Sequence, residues 1–130
     1  MTEDDFRNYL AAFNAREFAG FSRYYADDVE FRLGDRKRIV GPQGIVDFYT
    51  GVFEHIDENL EVVDLIVAPN GAALHSRTTF TTIKDWPDFE LWPTMKGDVR
   101  VVESINMYLT ANGKITSIKS GRFSDRFEGR

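Results

Sequence analysis

Two Asn-Gly pairs, Asn70-Gly71 and Asn112-Gly113, set the frame, because each sits between long runs of β-type residues. Asn-Gly between alternating runs is the strongest short hairpin signal, since both central residues of a tight turn take positive φ. Pro69-Asn70-Gly71 joins the run Leu60–Ala68 to Ala72–Ile83, and Asn112-Gly113 joins Asp98–Thr110 to Lys114–Phe123. The second half of the chain is therefore predicted to be a meander of about four antiparallel strands. Lys84–Pro93, between the middle two, is too rich in Pro and Asp to be a central strand.

The first half reads as helix. Thr2 with Asp5 three residues on is a capping-box pattern, and Phe6, Tyr9, Leu10 and Phe13 then fall on one stripe. Asn14 with Glu17 repeats the cap signal ahead of a second stripe, Phe18, Phe21 and Tyr25, which Asp27-Asp28 ends. Val29–Leu33 alternates like a short strand. Gly41-Pro42 opens a third helix, with Pro where its missing N–H costs nothing, and Ile45, Phe48, Tyr49, Val52, Phe53 and Ile56 give it a broad apolar face. Three helices followed by strands is an α+β pattern. No repeat or linker divides it, so one domain over residues 1–130 is expected.

Composition narrows the function classes. The chain has no cysteine, which excludes disulfides, thiolate catalysis and thiolate metal sites. A net charge of −5 argues against a nucleic-acid partner, because binding phosphates needs a positive field. No apolar run approaches the roughly 20 residues of a membrane span, and the acidic start Met1-Thr2-Glu3-Asp4-Asp5 is unlike a signal peptide, so a cytoplasmic protein is expected. There is no phosphate loop or nucleotide fingerprint, and the two histidines lie on different elements, so neither cofactor nor metal is expected. Aromatics make up 14% of the residues, enough for a core and for an apolar pocket wall.

The run Asp98–Thr110 carries an asymmetry. Its odd positions Val99, Val101, Ile105, Met107 and Leu109 are apolar, interrupted by Glu103, whereas Arg100, Ser104, Asn106 and Tyr108 are polar or amphipathic, with Val102 the exception. Such alternation normally puts the polar side in water. It is equally satisfied if the apolar face meets a second subunit while the polar face lines a pocket under the helices.

Several clusters together resemble the cone-shaped α+β superfamily of nuclear transport factor 2-like (NTF2-like) proteins, which includes SnoaL-type polyketide cyclases and ketosteroid isomerases. They are Tyr9-Leu10-Ala11-Ala12-Phe13-Asn14-Ala15, Tyr25-Ala26-Asp27-Asp28-Val29, Gly41–Tyr49, Pro93-Thr94-Met95-Lys96-Gly97 and Asn112-Gly113-Lys114-Ile115. The resemblance implies three N-terminal helices on a curved, mostly antiparallel sheet (a cystatin-like α+β roll), an apolar cavity between them, and homodimers formed through the outer sheet face. It is specific for fold rather than activity, because one cone serves isomerases, lyases, hydrolases and binding modules.

Ketosteroid isomerase is the functional match carried furthest. That enzyme holds an enolate-like oxygen with a tyrosine hydroxyl and a protonated aspartic acid, while a second aspartate moves the proton. By resemblance Tyr9 takes the place of the oxyanion tyrosine, Tyr25 and Tyr49 those of two tyrosines behind it, and Asn106 that of the protonated acid, if the turn before Gly113 is one residue shorter. An amide always presents N–H donors, so Asn106 can fill that role without a shifted pKa. Phe31, Leu33, Phe53, Ser76, Thr78, Phe80, Val102 and Ser104 are expected to line the cavity, with Trp86 and Trp92 near its mouth, leaving His75 and Arg77 on the outer face.

The proton-moving aspartate has no counterpart: it aligns with Leu33, or with Arg32 or Gly34 after a slip of register. Asp35 is the nearest carboxylate and reaches the mouth only if its loop folds inward. Asp64, His75 and the Asp85–Asp88 loop are the other acceptors, and His55 near the end of helix three meets the helix dipole. Epoxide-hydrolase-like relatives need an Asp–Arg–Asp set where Asn106 and Ser120 stand, and SnoaL-type cyclases an aspartate where Asn106 stands. Ser104-Ile105-Asn106 echoes the Ser-x-Asn pair of scytalone dehydratase, without its paired histidines. The expectation is a cofactor-independent isomerase or lyase acting on a small apolar carbonyl compound of steroid or polyketide type. The alternative is a non-catalytic cone that binds a small apolar ligand or dimerises, with the tyrosines as ordinary core.

Overall fold

The computed structural model describes residues 1–129. Thr2 caps α1 (Glu3–Asn14) with the full box: its hydroxyl accepts from the Asp5 N–H and the Asp5 carboxylate accepts from the Thr2 N–H. Phe6, Tyr9, Leu10 and Phe13 are the buried residues of this helix. The short α2 (Phe18–Ser22) follows, but the second cap signal does not act as one. Glu17 is the N-cap without a side-chain bond, and Asn14 turns away to bond the backbone of Leu60. The second stripe also breaks earlier than expected. Tyr25 opens β1 (Tyr25–Leu33) and is not on a helix.

A strand that alternation alone did not mark, β2 (Lys37–Val40), turns back on β1 as a hairpin. Pro42 occupies the first turn of α3 (Pro42–His55). Ile56, expected on that helix, begins β3 (Ile56–Ala68), and β4 (Gly71–Thr82), β5 (Val99–Ala111) and β6 (Lys114–Gly129) complete the chain. The six strands form one sheet in the order β2-β1-β6-β5-β4-β3. Every neighbouring pair is antiparallel except β1 with β6. The fold is α+β and NTF2-like, three helices on a curved, unclosed and mostly antiparallel sheet.

The two Asn-Gly turns differ. Asn112 and Gly113 both have positive φ (54° and 74°), as a tight hairpin turn of this kind requires. Asn70 and Gly71 do not. There the turn is Pro69-Asn70, and Gly71 is already paired with Ala68 in the β3–β4 ladder. A Cβ on Gly71 would stand 2.1 Å from the Tyr108 carbonyl oxygen, so close approach of β5, rather than conformation, demands glycine.

Shifts of register between Val62 and Asp64 in β3 and between Glu103 and Ser104 in β5 bend the sheet. The concave face carries the even residues of β4 and β5: Leu74, Ser76, Thr78, Val102, Asn106 and Tyr108 are all buried. α1 closes over it with Phe6 on Tyr108 and meets α3 through Phe13 on Tyr49, at ring-centroid distances of 5.5 and 4.9 Å. The convex face keeps Ile105, Met107, Leu109 and Phe123 exposed, whereas Phe127, paired with Arg100, is exposed on the other side of the sheet. Glu103, the interruption in that apolar row, accepts from His75 at 2.9 Å and lies 3.6 Å from Arg77. No helix is long and apolar enough to cross a membrane.

Candidate functional site

A cavity of about 470 Å³ lies between the concave sheet face and the helices. That is the size of a drug-like or steroid-like pocket. Phe31, Leu33, Ser76, Thr78, Phe80, Trp92, Val102 and Ser104 line it, together with Tyr9, Tyr25, Tyr49 and Asn106. Phe53, expected on the wall, and Trp86, expected near the mouth, are not part of it. Phe53 packs among Phe13, Phe18 and Tyr49 under the Arg16 guanidinium, and Trp86 stacks between His55 and Phe89. Trp86 thus braces the loop between β4 and β5 from outside, while Trp92 of that loop faces the cavity.

The Tyr9 and Tyr25 hydroxyls meet at 2.8 Å. In such a pair one hydroxyl donates to the other, and the acceptor keeps its own proton for a third group. Tyr49 and Tyr108 make no hydrogen bond within the described chain, and no buried polar side-chain atom is sealed off without a partner. Their hydroxyls therefore open onto the cavity. Burial raises all four phenols: Tyr25 is pushed above the usual range chiefly by desolvation, and Tyr9, Tyr49 and Tyr108 well above it for the same reason. At neutral pH they are proton donors and not phenolates.

Asn106 is 7% exposed and lines the cavity, which puts the polar side of β5 on the inner face and not in water. Its Nδ2 donates to Ser76 Oγ at 2.9 Å and to the Leu74 carbonyl at 3.3 Å. The Leu74 carbonyl fixes which way the amide points, because a flipped amide would set two oxygens against each other. Both N–H groups are engaged, and Ser76 Oγ, which accepts one of them, keeps its own proton to donate. Asn106 and Ser120 are direct cross-strand partners, so no carboxylate stands at either position.

The sequence reading passed over Glu58. It lies on β3 in phase with Ile56, Leu60 and Val62, is 8% exposed, and lines the cavity. No hydrogen bond holds it. Burial pushes its carboxyl up to about 8, with Arg16 opposing. The signal was available: extending the Leu60–Ala68 alternation two residues upstream places a carboxylate on the apolar parity.

The other expected acceptors stand elsewhere. Asp35 lies in the β1–β2 turn at the cavity edge beside Gly34 and Arg36. His75 is on the outer face with Glu103 and with Asp64, 3.6 Å away. Asp85 accepts from the Lys96 N–H, and His55 Nδ1 sits 2.9 Å from the Gly51 carbonyl at the end of α3. At the rim, Asp125 is held by Arg100 and Arg122 at 2.8 and 2.7 Å, and these arginines lower its carboxyl against burial. Among the described residues no group of three or more His, Asp or Glu is placed to hold a metal.

Comparison with known proteins returns the same architecture. The sequence matches the family described as SnoaL-like domain over residues 6–118. A candidate polyketide cyclase of Pseudomonas putida KT2440 superposes with a TM-score of 0.75 at 22% identity, covering 90% of this chain and 87% of that one. A candidate ketosteroid isomerase of Kribbella flavida DSM 17836 gives 0.70 at 18% identity, over 93% and 76%. An LEH-like epoxide hydrolase of M. tuberculosis gives 0.74 at 9% identity, over 92% and 80%. None of the curated proteins matches the sequence significantly.

Proposed function

The chain belongs to the SnoaL-like domain family, and from that premise we propose that it is a cofactor-independent isomerase or lyase acting on a neutral, apolar carbonyl compound of steroid or polyketide type. The Tyr9–Tyr25 hydroxyl pair is the observation that carries this reading. An enolate-like oxygen in a low-dielectric cavity needs donors already aimed at it, each worth a few kcal/mol in the transition state. The pair supplies one such donor, polarised by its neighbour, and Tyr49, expected behind it, instead lines the same cavity without a hydrogen bond to the pair. Asn106 contributes through Ser76, orienting that hydroxyl as the second donor. Lys and Arg side chains are confined to the rim, at Arg36 and Arg122. The inner part therefore suits an uncharged ring system that Phe31, Leu33, Phe80, Trp92 and Val102 enclose.

The partner we propose on the outside is a second copy of this chain, seated on the exposed row of Ile105, Met107, Leu109 and Phe123.

Titration with a planar steroidal phenol, followed by absorbance and fluorescence, tests the cavity. The expected result is micromolar binding with ionisation of the bound phenol, weakened in Tyr9→Phe and in Asn106→Ala. Absence of binding, or unchanged binding in both variants, would remove the oxyanion-site reading.

A further inference from the structure

We propose that Glu58 is the acid–base group of this cavity, taking a proton from the carbon beside the ligand's carbonyl and returning it to another carbon of the same ligand. The inference rests on the oxyanion reading above and supplies the member that reading lacks.

Three carboxyl groups line the cavity, and they are not equivalent. Asp125 is bound by two arginines, which weakens it as a base and occupies its oxygens. Asp35 is in the exposed turn at the edge. Glu58 is buried on the wall, free of any hydrogen bond, and open to the same space as the tyrosines. A buried carboxyl without a partner destabilises a fold that a leucine or glutamine at the same place would not. Unpaired, perturbed acids in clefts are for that reason candidates for chemistry.

The groups facing it define what it can do. Arg16, at the end of α1, is engaged with Asp57 and acts on Glu58 only at a distance. Tyr49 on α3 feels the Glu58 charge directly and stays protonated. The nearby phenols are held as donors, whereas the Glu58 carboxyl is pushed by burial to about 8. Paired environments that push donor and base apart in this way separate the two roles.

The step balances without a co-reactant. Glu58 carboxylate accepts a proton from the α-carbon as that C–H bond breaks. The electron pair moves into the carbon–carbon bond, and the carbonyl oxygen takes the charge under the tyrosine and serine hydroxyls. Glu58, now a carboxylic acid, gives the proton to the γ-carbon, the electrons return, and the double bond has moved into conjugation.

Incubation of a steroidal β,γ-unsaturated ketone, with formation of the conjugated enone read by ultraviolet absorbance, tests the assignment in wild type, Glu58→Gln and Glu58→Asp. The same preparations are titrated with the steroidal phenol, and thermal unfolding confirms that each is folded. Wild type should isomerise the ketone at a rate that rises toward pH 8 and levels off. Glu58→Gln should lose about 100-fold or more of that rate and its pH dependence, while phenol affinity stays within a few-fold. Glu58→Asp should recover part of the rate. Equal isomerisation by wild type and Glu58→Gln would overturn the assignment and leave the oxyanion site standing, as would phenol binding by a wild type that isomerises nothing. If wild type binds no phenol, the cavity reading fails first and this inference with it.

Discussion

Asn14 and Leu60 are joined at two points, the Asn14 amide donating to the Leu60 carbonyl at 2.8 Å and accepting from its N–H at 2.9 Å. Because β3 is an edge strand, this side chain takes the place of the missing neighbouring strand. It also pins β3 to the end of α1 two residues from Glu58. Asn14→Ala should therefore lower unfolding stability by about 1–2 kcal/mol in urea melts. Asn14→Asp, which cannot donate to the carbonyl, should be no better. Stability equal to wild type in both would show that water replaces the amide fully.

The hydroxyl pair of Tyr9 and Tyr25 predicts non-additive effects. Removing either hydroxyl dissolves the pair, so Tyr9→Phe or Tyr25→Phe alone should weaken phenol binding roughly 10- to 100-fold, about 1.5–3 kcal/mol for bonds to a charged oxygen. The double variant should lose clearly less than the sum of the two. Strictly additive losses in the cycle would mean that each hydroxyl meets the ligand separately.

Gly71 and Gly113 are both the second residue of an Asn-Gly pair, and they should tolerate alanine differently. At Gly113 the space is open and only φ of 74° opposes a side chain, so Gly113→Ala should cost about 1–2 kcal/mol. At Gly71 the methyl group meets the Tyr108 carbonyl, and backbone must move, so about 2–4 kcal/mol is expected. Denaturation midpoints of the two variants decide it, and equal losses would count against the close approach.

These two glycines also mark what the sequence could and could not disclose. The two Asn-Gly hairpins, α1 and α3 follow from local spacing, which period and turn chemistry encode, whereas the inward parity of β4 comes from the resemblance and that of β5 is open until the helices are seen to cover its polar side. The β1–β2 hairpin was missed because Lys37-Arg38-Ile39-Val40 offers one buried residue, Ile39, and no alternation to detect. Tyr25 was placed on a helix because its stripe with Phe18 and Phe21 fits a helical period, and only the parallel pairing with Ile115 draws it into the sheet. Asn14 reads as a cap because its contact with Leu60 spans 46 positions. Within the site, aromatic and hydroxyl positions were legible from the resemblance, whereas Glu58 was hidden by a strand boundary drawn four residues late.

Glu58 also makes stability depend on pH in a defined direction. In the unfolded chain it titrates near the ordinary glutamate value of about 4.3. Folded, it titrates at about 8. Below the first value both states hold the proton and its contribution is complete. Between the two only the folded state does, so stability falls as pH rises, by about 1.4 kcal/mol per unit. Above about 8 both states are ionised and the loss stops. Glu58→Gln should thus gain on wild type progressively from about pH 4 to 8 in thermal melts, then hold a constant lead. Parallel melting curves for the two across that range would place Glu58 in water.

The outer face makes the last prediction. Ile105 and Met107 are each 51% exposed in the single chain and Phe123 is 59%, on adjacent strands and contiguous with Leu109. The polar residues among them are already satisfied, since Glu103 is shared by His75 and Arg77. The face therefore offers apolar area with few unmet hydrogen bonds, the pattern of an interface core. In a two-fold dimer each substitution counts twice, so Ile105→Glu and Met107→Lys should each raise the dimer dissociation constant by about 100-fold or more, one buried charge per copy being costly. Sedimentation equilibrium reads the change, and phenol binding should persist, because both side chains point away from the cavity. A wild type that sediments as a monomer at high concentration would leave this face without the partner proposed for it.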